Sequence, residues 1–166
     1  NLKDVMEQSW PHLMIEPLTP PSDLELLIGW TGTPASTSNL LKSVESSSNV
    51  DRYKQFLVKS KRCINKMING FKNKDIAVIK NQIKENRNII VELASFTGID
   101  IETSKLKQLC EIAEEYNGSG KSSGAGGGDC GIAIVEKQSP IKDIESKWTE
   151  NGIIPLHLNI YSEQEA

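Results

Sequence analysis

Long apolar runs are missing from this 166-residue sequence; no stretch approaches the ~20 residues that a transmembrane helix needs, so no membrane partner is expected. A strong excess of one charge is missing too. The net charge of −3 gives no electrostatic reason for nucleic acid or a lipid surface as the main partner. Paired cysteines are absent: Cys63, Cys110 and Cys130 are odd in number, scattered and never spaced C-x-x-C. That pattern argues against a disulfide framework and a zinc site, so no disulfides and no metal ligands are expected, and it fits a reducing cytoplasm. The chain opens at Asn1 without an initiator methionine, signal peptide or transit pattern, which reads as a cut inside a longer protein.

What is present suits one domain with a single core. Residues 3–9 read as the tail of a helix. His12–Leu18 and Leu24–Trp30 are apolar-rich runs separated by Thr19-Pro20-Pro21-Ser22-Asp23, which predicts a β-hairpin whose second strand is buried. A hydroxyl-rich loop, Thr31 to Ser38, leads into a helix near Asn39-Leu40-Leu41. A long helix is predicted over Asp51–Asn69, with Tyr53, Phe56, Leu57, Ser60, Cys63, Ile64 and Met67 on one inward stripe, broken by Gly70. The next, Asp75–Phe96, places Ile79, Ile83, Asn86, Ile90 and Leu93 inward and Lys80, Lys84 and Glu85 toward water, and stops at Gly98. Ser104–Tyr116 forms a third, with Leu106, Leu109, Cys110, Ala113 and Tyr116 inward. These stripes are core rather than ligand boxes.

From Asn117 the composition turns to Gly, Ser and Ala, and Ile132–Val135 then reads as a strand. A short helix over Ile141–Trp148 has Ile144 and Trp148 on one side. Ile154, Leu156, Leu158 and Ile160 alternate with polar or proline residues as in a half-buried strand. A block of helices between strands that can pair antiparallel predicts an α+β domain with its helices on one face of a small sheet.

The glycine-rich stretch Lys121-Ser122-Ser123-Gly124-Ala125-Gly126-Gly127-Gly128-Asp129-Cys130 is the chemical signal. It is not a P-loop, because that motif would require glycine where Glu115 stands and a strand before the loop. Gly126–Gly131 satisfies G-x-G-x-x-G, but a dinucleotide fold needs strand, turn, helix, and here the expected order is helix, turn, strand. A flexible linker is the plain alternative, yet the residues beyond it are too few for a second domain. Concentrated glycine inside a fold implies positive φ or close backbone approach, and consecutive N–H groups there form anion-binding concavities. Ser122 and Ser123 add hydroxyl donors. Lys121 either adds positive charge or is a solvated flank.

This stretch, continued to Gly131, resembles the third motif of the GHMP kinases, the galactokinase, homoserine, mevalonate and phosphomevalonate kinase superfamily. Asp129, where the mevalonate kinase version has glycine, and Gly29-Trp30-Thr31-Gly32-Thr33-Pro34-Ala35-Ser36-Thr37 make the likeness strongest to its phosphomevalonate kinase branch. The resemblance covers essentially the whole chain. It implies a ferredoxin-like sheet of about four antiparallel strands, with residues 1–23 as interdomain tail and first hairpin strand, and 24–166 as the C-terminal domain. It implies ATP-dependent phosphorylation of phosphomevalonate to diphosphomevalonate, with Mg2+, at a site facing an N-terminal domain that this chain lacks. Ser122, Ser123, Gly124, Ala125 and Gly126 would face phosphates, with Gly127 and Gly128 completing the cradle and Asp129 fixing the turn. Thr37 is either the substrate-side threonine of related kinases or a helix cap.

The family's ATP-wrapping loop, N-terminal lysine and acidic residue are not in this sequence, so no catalytic residue is expected in it and it should not turn over alone. His12 and His157 read as structural or exposed. Mevalonate kinase, diphosphomevalonate decarboxylase or a non-catalytic domain of the same fold remain the alternatives. Trp10, Leu13 and Ile15 are expected to form an apolar patch that meets the N-terminal domain.

Overall fold

The structure, a computed structural model, describes residues 15–35, 49–124 and 126–158. Strand β1 (Leu24–Trp30) is followed by helices α1 (Val50–Lys72), α2 (Ile76–Thr97) and α3 (Ser104–Glu115). Strands β2 (Ser119–Ser122) and β3 (Cys130–Glu136), helix α4 (Ile141–Glu150) and strand β4 (Ile154–Leu156) complete it. The four strands form one antiparallel sheet in the order β2-β3-β1-β4. The α+β architecture with a four-stranded antiparallel sheet is the one expected, but the helices are not all on one face: α3 and α4 pack on one side and α2 on the other.

Successive strand residues point to opposite faces and directly paired residues share a face, so Leu27, Ala133 and Val135 lie together. They pack with Leu109, Cys110 and Ala113 of α3 and Ile144 and Trp148 of α4. Gly29 and Gly131 pair across this face. A Cβ at either would stand 2.8 or 2.7 Å from Leu109 Cδ1, so the two glycines leave the flat spot that lets α3 press onto the sheet. Leu24 and Ile134 belong to the other face and pack with Ile79 and Ile83 of α2.

The helix boundaries follow local chemistry. Asp75 caps α2 by accepting from the Val78 N–H at 3.0 Å, and Gly98 ends it in the left-handed region at φ 70°. Gly70, expected to break α1, is instead inside it. A Cβ there would meet Ile79 Cγ1 and Val78 Cγ1 at 3.1 Å, so the missing side chain serves close packing of α1 on α2. The inward stripe of α1 is also narrower than expected. Cys63 is buried, but Tyr53, Leu57 and Ile64 are exposed, because one neighbouring helix cannot cover so wide a stripe. Lys80, expected in water, is drawn down by an ion pair with Glu136 at 2.7 Å.

The expected hairpin is corrected as well. Residues 15–21 form no strand, and both edges of β1 are taken by β3 and β4. Pro17, Pro20 and Pro21 have no N–H to give to a ladder. The last strand is shorter than its apolar alternation predicts. Ile153, just before it, is the buried residue, while Ile154 and Leu158 are exposed. The helical tail over 3–9, the helix near Asn39, His12, Trp10, Leu13 and Ile160 lie outside the described residues. Ile15 is 83% exposed. No helix among the described residues is long and apolar enough to cross a membrane.

Candidate phosphate site

Lys121 and Ser122 turn out to be strand residues of β2, and the glycine stretch is the hairpin connection between β2 and β3. The order around it is therefore strand, turn, strand. The sequence hid β2 because Ser-Gly-Lys-Ser has no apolar alternation. The hairpin closes through the Ser123 N–H, which donates to the Cys130 carbonyl at 2.9 Å.

Beyond that point the chain enters left-handed space. Gly124, Gly126, Gly127 and Gly128 have φ of 75°, 81°, 77° and 130°, and Asp129 follows at 58°. Two neighbouring segments seat this run. The Gly127 N–H donates to the Ile101 carbonyl at 2.8 Å. Asp129 is clamped by its main chain, its N–H donating to Thr33 O at 2.6 Å and its carbonyl accepting from the Thr31 N–H at 2.8 Å. Its carboxylate is outside this clamp and, among the described residues, meets only the Cys130 thiol, at 3.9 Å.

Among the described residues of the loop, three main-chain donors are thereby used and three remain. The N–H groups of Gly124, Gly126 and Gly128 have no partner among the described residues, nor do the hydroxyls of Ser122 and Ser123. Unpartnered amides in positive-φ backbone are the kind of donors that can bind an anion. Gly127 contributes shape alone, since its own N–H is taken. Ala125 and Thr37 lie outside the described residues.

Two lysines flank the loop, neither paired with a carboxylate among the described residues. Lys105, which sequence reasoning missed, donates to the carbonyls of Thr31 at 2.8 Å and Gly152 at 2.9 Å, and so holds the Thr31 segment from behind. Its signal is invisible in sequence because both partners are main-chain oxygens. The buried Thr31 Oγ1 has no partner among the described residues. Lys121 is half-buried rather than a solvated flank, and its ammonium donates to its neighbour's carbonyl, Ser122 O.

Burial pushes the Lys121 pKa below the ordinary lysine value. Cys110 stays a thiol, its pKa pushed up to about 12 by burial. The unfolded chain then binds a proton at Lys121 that the folded chain releases at lower pH. The Lys121 contribution to stability should accordingly rise as pH climbs from the lowered lysine pKa toward the ordinary 10.5, while the raised Cys110 pKa works in the opposite direction above pH 9. Denaturant unfolding of wild type and Lys121→Met between pH 7 and 10.5 checks this: the wild-type-minus-variant difference in stability should climb with pH, the cysteine contributions being common to both.

The family described as GHMP kinases C terminal matches residues 67–154. A Streptomyces phosphomevalonate kinase is 31% identical over 157 residues, covering 92% of this chain and 42% of its own length. A crystal structure of a Listeria innocua protein superposes with a TM-score of 0.87 at 37% identity, over 96% of this chain and 45% of that one. The Streptococcus pneumoniae phosphomevalonate kinase in complex with phosphomevalonate and AMPPNP gives 0.80 at 29%, over 95% of this chain and 45% of that one. The chain thus spans less than half the length of each of these relatives.

Proposed function

Because the chain belongs to the GHMP kinase C-terminal family, we propose that it forms the C-terminal half of a phosphomevalonate kinase, an enzyme that moves the ATP γ-phosphoryl group onto phosphomevalonate to give diphosphomevalonate and ADP. The observation that carries this reading is the clamped left-handed loop whose N–H groups at Gly124, Gly126 and Gly128 have no partner among the described residues. Phosphoryl transfer asks a protein mainly to position two polyanions and to offset charge on the transferred group. Fixed backbone dipoles do both without a reorganisation cost. The Streptococcus relative, seen with phosphomevalonate and an ATP analogue, supports the choice of substrates.

In this reading Ser122, Ser123, Gly124, Ala125, Gly126 and Gly128 offer donors to phosphate oxygens, Gly127 shapes the cradle, and Lys121 adds charge from the strand. Asp129 holds the turn, and Thr37 approaches the substrate. Residues 24–166 are the C-terminal domain, residues 1–23 lead in from the interdomain region, and the N-terminal domain supplies the other wall and the catalytic groups. ATP is expected with Mg2+. Among the described residues no three His, Cys, Asp or Glu side chains converge to hold a metal, so no step is assigned to a metal held by this half. Three free cysteines suit a cytoplasmic enzyme.

The test is ADP release from the full-length parent protein, coupled to a colour reaction, with phosphomevalonate, mevalonate and diphosphomevalonate compared. Release that depends on phosphomevalonate alone is expected, and none from residues 1–166 by themselves. Preference for mevalonate, or robust turnover by the 166-residue chain, would overturn the proposal.

A further inference from the structure

The seat of the glycine loop is held in turn by a charge cluster that contributes nothing to its surface. The loop rests on Ile101 O, in the short irregular segment between α2 and α3. The next residue, Glu102, is gripped by Arg87 from the interior of α2, with Nε donating to Oε1 at 2.6 Å and Nη2 to Oε2 at 3.0 Å. The remaining arm, Nη1, donates to Glu114 Oε1 on α3 at 3.0 Å. The Arg87 and Glu102 side chains are only 13% and 15% exposed, so this is a desolvated fork rather than a loose surface pair.

We propose that Arg87 is a positioning residue for the phosphate cradle: it fixes Glu102, through it the Ile101 carbonyl, and through that the amides of Gly126 and Gly127. The inference rests on the function proposed above for this loop. Three features give it force. The fork fixes both distance and plane of the Glu102 carboxylate, which a lysine at 87 could not do. Ile101 itself is buried beside Leu93 and Ile99, so its carbonyl has little room to adjust independently. The contact with the loop has no slack, since a Cβ on Gly126 would lie 2.4 Å from Ile101 O. A displacement of Ile101 must therefore be passed to the loop.

Arg87 also keeps its charge over the working range. Burial alone would lower the Arg87 pKa, but the Glu102 hydrogen bonds and the charges of Glu102 and Glu114 outweigh it and hold the net value above the ordinary one. The charged groups facing it from α2, α3 and the connecting segment are Lys84, Glu114 and Glu102. The device is a fixed brace.

Steady-state kinetics of the full-length parent carrying Arg87→Lys, Arg87→Gln, Glu102→Gln or the Arg87→Gln/Glu102→Gln pair tests this, with amide exchange at Gly127 followed in parallel. Lys84→Met serves as control, since Lys84 binds the same Glu114 from its exposed side. At a temperature where each variant is folded, Arg87→Lys and Glu102→Gln should lower kcat by roughly 10-fold or more and leave the KM values within about 3-fold, as expected for misaimed transition-state donors. Gly127 exchange should accelerate. The pair should be no worse than the poorer single variant, and the control should match wild type. Wild-type kcat in folded Arg87→Lys and Glu102→Gln, or lowered kcat with unchanged Gly127 exchange, would overturn the inference. A wild-type parent without phosphomevalonate-dependent ADP release would instead bring down the proposed function, and Gly127 exchange would still decide whether the brace exists.

Discussion

Alanine at position 126 is expected to destabilise the fold by about 2–4 kcal/mol, combining a left-handed side chain with overpacking. On the function proposed above, it should also cut phosphomevalonate-dependent ADP release by the full-length protein by roughly 100-fold or more, the order seen when a charge-stabilising donor is displaced. Gly126 has φ of 81°, and its new methyl would stand 2.4 Å from both Ile101 O and Ile101 Cγ2. A carbonyl that accepts the Gly127 N–H cannot simply swing away, so the loop itself must move. Gly124→Ala separates the two causes. Gly124 has a similar φ, 75°, but nothing within 4 Å of a Cβ, so it should lose only about 1–2 kcal/mol, the left-handed penalty alone. Denaturant unfolding of both variants, alongside kcat/KM in the parent enzyme, gives the comparison. Equal losses for the two would show that conformation, not crowding against Ile101, sets the cost.

The largest stability effect is expected at the far end of the core. Trp148 is fully buried on α4, and its indole Nε1 donates to the Leu109 carbonyl at 3.1 Å. Its ring also sits 3.2 Å from where a Cβ on Gly29 would be, so it presses directly on the central strand. Trp148→Ala should lower stability by about 3–5 kcal/mol through the cavity left behind. A fall in thermal midpoint on the order of 10 °C follows for a domain of this size. Trp148→Phe keeps most of the volume but removes the indole hydrogen bond to the Leu109 carbonyl, and should fall between. Calorimetry of the three proteins checks the order; an unchanged midpoint in the alanine variant would refute this account of the core.

How much of this was legible beforehand depended on which groups carry the information. Asp75 and Gly98 bracket α2 as written, because capping depends on local side-chain chemistry. Ile144 and Trp148 are both fully buried, since helical spacing alone places them together. The left-handed backbone of the glycine stretch was readable because so many glycines inside a fold imply positive φ or crowding. Its seat was not. Ile101 and Thr33 contribute main-chain carbonyls, which leave no mark on residue type. The strand β2 was missed because it buries serine and glycine against α3, and the hairpin before β1 was misplaced because local turn signals do not reveal that later strands occupy both edges.

That last point has a consequence for how the chain is made. Strand β1 is central, yet both of its neighbours are encoded far downstream; Trp30 pairs with Cys130 and with Ile154. During synthesis Leu24–Trp30 must wait, apolar and unpaired, while the helical hairpin of α1 and α2 can already assemble from local contacts. Closing so long a loop is entropically slow, and an unpaired apolar strand is the kind of segment that chaperones bind and that aggregates when crowded. The glycine loop lies immediately before Cys130 and needs β1 in place to reach Thr31 and Thr33. The most chemically specialised part of the chain is therefore among the last to be seated on the emerging protein.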